Sequence, residues 1–230
     1  MKINTLAFTH TRQYILYIYA YIVYNKSMNV KKGANPIDKV RMILKESNGI
    51  LLTSDLTKYG IARTYLSILE KQGEIQRTAR GVYAIPDSLV DEMIELQARY
   101  KNTIFSHETA LYLWDLTDRT PLRYSVTVPT GYNATLLKEN GTKVFFVKQD
   151  LHLLGLAMMK SPHGNEIRSY NLERTICDVV RSRNQMDVQF MGEALKRYVG
   201  RKERNIDLLY GYAEQFRIHK IIRAYIEVLL

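Results

Sequence analysis

"IARTYLSILEKQGEIQRTARGVYAIP", residues 61–86, reads as one amphipathic helix followed by a tight two-stranded ribbon. A helix turns about 100° per residue, so Ile61, Ala62, Tyr65, Leu66, Ile68 and Leu69 fall within one broad arc. Arg63, Thr64, Ser67, Glu70 and Lys71 fill the opposite arc. Gly73 is placed to end the helix. "EIQRT" and "GVYAI" then alternate like strands around "ARG", where Gly81 can supply the positive φ of a hairpin turn. Arg77 and Arg80 lie at or near the tip.

Upstream, "NPIDKVRMILKES" offers Asn35 as N-cap, Pro36 at the first helical position and Asp38 near the positive helix end. Ile37, Val40, Ile43 and Leu44 recur at helical spacing. "TSDLTKYG" offers Thr53 as cap for a short second helix that Gly60 would close. Helix, short helix, amphipathic helix and basic hairpin, in that order, predict a winged helix-turn-helix over residues 34–86. The third helix of such a module enters a major groove while the wing touches the flanking backbone or minor groove. Arg63, Thr64, Ser67 and Lys71 are the candidate groove contacts, and Arg77 and Arg80 the candidate wing contacts, because all can donate to phosphates or base edges. Glu70 argues mildly the other way, unless it sits at the rim or accepts from a cytosine amino group. The bland alternative is a charged face that is merely solvated.

Bulk properties agree with a polyanionic partner. The chain has 230 residues, a net charge of +10 and 46% hydrophobic residues, which fits a globular protein with room for two small domains. The single cysteine, Cys177, excludes an internal disulfide and a cysteine-cluster zinc site, and suits a reducing cytoplasm. "YILYIYAYIVY", residues 14–24, is too short to span a membrane and has no signal-peptide cleavage pattern after it. Residues 1–30 are expected to be a poorly ordered extension or translation from an upstream start, with Met28 just before the first helix signal. A peripheral strand or helix is the alternative.

Residues 87–230 read as a mixed α/β domain ending in helices, so the whole chain is classed as α+β. "PDSLVDEMIELQARY" suggests a linking helix capped by Asp87 or Ser88, and "SHETALYLWDLTDRTP" a helix capped by Ser106. "RYSVTVP", "TKVFFVK" and "EIRSY" have strand character, "LHLLGLAMM" is ambiguous, and "NATLLKENG" is a short helix. "NLERTICDVVRSR" is helical with Asn171 as cap. Helical stretches near 186–199, 205–216 and 218–229 finish the chain.

Enzymatic signatures are sparse. There is no phosphate-binding glycine loop, dinucleotide fingerprint or nucleophile elbow. His107-Glu108 lacks the second histidine of a zinc-protease motif, and with Ser106 it reads as a helix start. Glu173, Arg174 and Asp178, beside Glu166-x-Arg168, allow a metal-dependent nuclease as a second reading. An Arg174–Asp178 ion pair one helical turn apart is the ordinary explanation. Cys177 reads as a small buried apolar residue. Lys196, Arg197, Arg201, Lys202 and Arg204 form a second basic cluster, either a solvated helix end or an extension of a nucleic-acid footprint. No catalytic residue, metal or cofactor is assigned.

The run from Gly60 to Tyr83, "GIARTYLSILEKQGEIQRTARGVY", resembles the N-terminal domain of AbiEi-type antitoxins, from abortive-infection (type IV) toxin–antitoxin systems. "SHETALYLWDLTDRTP", "VTVP" and "NLERTICDVVR" are similar to segments of that family's C-terminal region. The resemblance implies a repressor of its own operon that binds double-stranded operator DNA through its N-terminal half; inverted repeats in that DNA would mean two copies bound. It also implies a C-terminal half that counteracts a nucleotidyltransferase-like toxin without a tight complex, and no enzymatic activity. A generic winged-helix regulator or interaction module is the remaining alternative.

Overall fold

The computed structural model describes residues 35–86, 88 and 91–229; the extension expected over residues 1–30 lies outside them. The chain divides into two compact units, Met1–Val90 and Asp91–Leu230.

In the first unit, α1 (Pro36–Glu46) starts as anticipated: Asn35 Oδ1 accepts from the Ile37 amide at 3.2 Å, and Pro36 occupies the first turn. Its Val40, Ile43 and Leu44 are buried. Asn48 and Gly49, both at positive φ, turn the chain into β1 (Ile50–Leu52). α2 (Thr53–Lys58) follows and Gly60, at φ +65°, closes it. α3 (Thr64–Lys71) leads through Gly73 into β2 (Gln76–Ala79) and β3 (Val82–Ala84). The three strands form an antiparallel sheet in the order β1-β3-β2, with Leu52 opposite Val82 and Arg77 opposite Tyr83. Val40, Ile43, Leu44, Leu51, Leu56, Ile61, Leu66, Leu69 and Ile75 make one core under this sheet and the three helices.

Three local expectations change here. Strand β1 was not anticipated, since three residues between helices show no period. Thr53 does not cap α2 but is its first residue; its amide and hydroxyl both donate to the Gly81 carbonyl, at 2.9 and 3.1 Å. The apolar arc of α3 is narrower than expected, because the helix begins at Thr64 and Ala62 and Ile68 are exposed.

The second unit opens with α4 (Glu92–Arg99). Its cap is Asp91 rather than Asp87 or Ser88: Oδ1 accepts from the Met93 and Ile94 amides at 3.1 and 3.2 Å. Strands β4 (Ile104–Phe105), β5 (Ser125–Pro129), β6 (Lys143–Val147), β7 (Leu156–Lys160) and β8 (Glu166–Tyr170) form a mixed sheet in the order β6-β5-β4-β8-β7. Short helices α5 (His107–Leu113) and α6 (Thr135–Glu139) lie between strands. The ambiguous "LHLLGLAMM" segment splits, with a 3-10 turn at Gln149–Leu151 and strand from Leu156. Helix α7 (Leu172–Arg181), capped by Asn171, is buried from Leu172 to Val180. Helices α8 (Val188–Gly200), α9 (Ile206–Gln215) and α10 (His219–Leu229) enclose it; Ile176, Val179, Val180, Leu195, Tyr198, Leu209, Ala213, Ile222 and Ile226 share one core.

Two buried polar groups organise this unit. Arg174 is 0% exposed, with its guanidinium between the rings of Tyr170 and Phe216 at 4.0 and 4.4 Å. It pairs with Asp178 at 3.1 Å and donates to the Leu151 and Leu154 carbonyls at 2.9 and 2.6 Å. Gly155, at φ +75°, passes so close that a Cβ there would sit 2.5 Å from the Cβ of Arg174. His107 is also fully buried, at φ +49°, and stacks on Phe145 with ring centroids 3.4 Å apart. Its ring nitrogens lie 3.0 Å from the hydroxyls of Ser106 and Ser182, and Thr127 donates to Ser106 at 2.8 Å. The Ser106 hydroxyl therefore serves this chain and makes no cap bond to α5.

Burial pushes the His107 imidazole down to about 4, against a weaker opposing pull from Asp178 and Glu108. Its folded pKa thus lies below the ordinary 6.5, so the unfolded chain takes up the proton first as pH falls. Stability contributed above pH 6.5 should drain away between 6.5 and about 4, up to roughly 3 kcal/mol. Denaturant titrations at several pH values check this, because His107→Asn, neutral and tolerant of positive φ, should flatten that part of the profile. Identical pH profiles for the two chains would contradict it.

Candidate nucleic-acid interface

Pinning of α3 begins on its inner side, where Leu66 is 3% and Leu69 0% exposed. Its far end is held by Arg41 of α1, which grips the Glu74 carboxylate with two bonds of 2.8 and 2.7 Å and also reaches Asp38 at 3.0 Å. The Arg41 guanidinium holds the Glu74 carboxyl below the usual range. This contact is solvent-exposed, so its contribution lies in orientation more than in stability.

The outer side of α3 carries Arg63 at the N-cap, then Thr64, Ser67, Ile68, Glu70 and Lys71, all exposed. In the hairpin, Arg80 and Gly81 form the turn, Gly81 at φ +80°, and both Arg77 and Arg80 are exposed. A register irregularity between Arg77 and Ala79 bends β2, and the Arg77 side chain reaches the Ala79 carbonyl at 3.4 Å. Thr53 fastens the turn to the start of α2.

Charge is sorted within this unit. Asp38 and Glu74 are taken by Arg41, and Asp55 pairs with Lys58 at 3.0 Å. Among the described residues, Arg63, Lys71, Arg77 and Arg80 have no carboxylate within ion-pair distance. Lys39 and Lys45 of α1 are likewise outside the ion pairs of this unit's described residues. The unpaired cations thus include, beside these two, the four on the outer face of α3 and on the hairpin, which an anionic ligand would neutralise. Glu70, also unpaired, is the one carboxylate on that face.

The second basic cluster is largely spent on its own unit. Arg197 pairs with Asp118 and with Glu193, the latter at 2.7 Å, and holds the Asp118 carboxyl below its usual range. Arg201 bonds Glu203 at 2.9 Å and the Trp114 carbonyl, and Arg204 donates to the Arg201 carbonyl at 2.8 Å. These bonds tie the end of α8 to the loop after α5. Lys196 and Lys202 remain exposed.

Of the carboxylates singled out for a nuclease, Glu173 and Asp178 are interior scaffolding, while Glu166 is half-buried. Glu173 accepts from the Asn205 amide at 3.0 Å and Asp178 faces Arg174 and Arg181, the latter at 3.5 Å. Both are buried, so neither faces a space that a phosphodiester could enter. Glu108 is engaged by Lys143 and Ser125, each at 2.7 Å. Burial pushes the Cys177 thiol far up, which matches its reading as an apolar filler. Among the described residues no three His, Cys, Asp or Glu side chains gather as metal ligands, and no helix is long and apolar enough to cross a membrane.

The spacing placed Ile68 within the apolar arc, whereas it is exposed. The available signal was redundancy: Leu66 and Leu69 already supply a full inner stripe for so short a helix.

Residues 38–86 match the family model described as transcriptional regulator, AbiEi antitoxin. That stretch runs from α1 through the hairpin; the C-terminal segments that resemble the same family lie outside it. The crystal structure of the RV2827C protein from Mycobacterium tuberculosis is similar to 80% of this chain and 73% of its own, with 13% identity and a TM-score of 0.49. No curated protein matches the chain.

Proposed function

We propose that the chain is a DNA-binding antitoxin that represses its own toxin–antitoxin operon. On this reading residues 34–86 act as a winged helix-turn-helix. α3 enters the major groove with Arg63, Thr64, Ser67 and Lys71, and the hairpin is the wing, laying Arg77 and Arg80 on the flanking phosphates. The observation that carries the proposal is that Arg63, Lys71, Arg77 and Arg80 are all exposed and outside the ion pairs that take up Asp38, Asp55 and Glu74. The match of residues 38–86 to antitoxin transcriptional regulators supports the same reading.

The C-terminal unit, residues 87–230, is then the antitoxin half, acting in the cytoplasm against a nucleotidyltransferase-like toxin without a tight complex. If the operator holds inverted repeats, two copies bind half-sites one helical turn or its multiples apart. No catalytic step and no cofactor belong to the proposal.

A gel-shift with the duplex immediately upstream of the chain's own coding sequence tests it. Binding should weaken with salt, with a log–log slope of about −0.9 for each phosphate neutralised, hence roughly −2 to −4 per copy for the four named cations. Binding without salt dependence, or none at low salt, would refute the assignment of these side chains.

A further inference from the structure

We infer that Ile68 reads thymine, its side chain making apolar contact with the 5-methyl group in the major groove. This deepens the DNA-binding reading above and rests on it.

Ile68 is 39% exposed, whereas its neighbours Leu66 and Leu69 are 3% and 0%. The core of the unit is therefore complete without it. It stands one turn after Thr64 and one turn before Lys71, at the edge of the outer face where that face meets the half-buried Tyr65. A solvated position on a short helix is better filled by Lys, Gln or Glu, which have higher helix propensity than β-branched Ile and carry a polar end into water. The residues around it are donors suited to phosphates and to purine or carbonyl edges. The thymine methyl is the apolar group that the major groove displays, and Ala, Thr and Phe side chains commonly pack on it. Ile68 supplies the same chemistry one turn from Thr64 and from Lys71, on a helix whose exposed charge already suits a duplex.

Parallel selections from a random duplex pool, with the unaltered chain and with Ile68→Ala, provide the test. The unaltered chain should enrich a T at one or more positions where Ile68→Ala shows a weaker preference for T over C. Replacing that T by deoxyuridine, which deletes only the methyl, should weaken binding by the unaltered chain about fourfold, the worth of burying one methyl-sized group. The same replacement should weaken binding by Ile68→Ala less, because the shorter side chain covers less of the methyl. If deoxyuridine at every T of the enriched duplex leaves the unaltered chain's affinity unchanged, the inference is wrong while DNA binding stands. If no sequence is enriched and no duplex is retained, the DNA-binding reading itself fails. The deoxyuridine comparison needs no variant, so a misfolded Ile68→Ala could not rescue the inference.

Discussion

Replacing Arg63 and Lys71 together with alanine is expected to weaken binding to the chain's own upstream duplex by roughly thirtyfold or more at fixed salt. Each lost groove contact costs about 1 kcal/mol at least, and 1.4 kcal/mol is tenfold in affinity, so two contacts sum to that factor. The fold should be untouched, because both side chains are exposed and neither holds a carboxylate among the described residues. Lys39→Ala with Lys45→Ala removes the same charge from α1 and is the proper control. If both pairs weaken binding equally, only net charge matters and the assignment of α3 to the groove is lost.

The second large effect concerns stability. Arg174→Ala should cost the C-terminal unit about 3–5 kcal/mol, because it strands the Asp178 carboxylate in the interior with only Arg181 at 3.5 Å. It also removes the donor of the Leu154 carbonyl and one of the two donors of the Leu151 carbonyl, and opens the space between Tyr170 and Phe216. Such a loss is a large part of the 5–15 kcal/mol typical of a domain. Trp114 is the only tryptophan and belongs to this unit, donating to the Tyr170 carbonyl at 2.8 Å, so its fluorescence reports the relevant transition. Arg174→Met combined with Asp178→Leu, which removes both charges and keeps apolar volume, should recover much of the loss. A single-variant cost below about 1 kcal/mol would mean the pair is not the keystone its burial suggests.

Legibility from sequence followed the reach of each signal. Asn35-Pro36, Gly60, Gly73 and Gly81 announce backbone events within a turn or two of themselves, and the helices and hairpin they bound stand where their spacing placed them. β1 and β4 escaped because strands of three and two residues have no period and exist only through partners distant in sequence. Ser106 and Asp91 show the same limit. A serine before a helix looks like a cap until His107 and Thr127 claim its hydroxyl, and Asp91 wins the cap because Ser161 and Asn165 hold its other oxygen. At the candidate interface, residue types and spacing named the cations correctly as exposed. Which cations stay unpaired depends on Arg41 meeting Glu74 across the fold, and no local pattern contains that.

The Gly81 carbonyl, held twice by Thr53, makes the hairpin tip continuous with the rigid body that carries α3. Under the proposed mode, a duplex meets two contact points at a set separation, like the jaws of a gauge. Base changes between them would be forgiven. Adding or deleting a single step of the ladder would not, since the backbone would arrive out of phase with the tip.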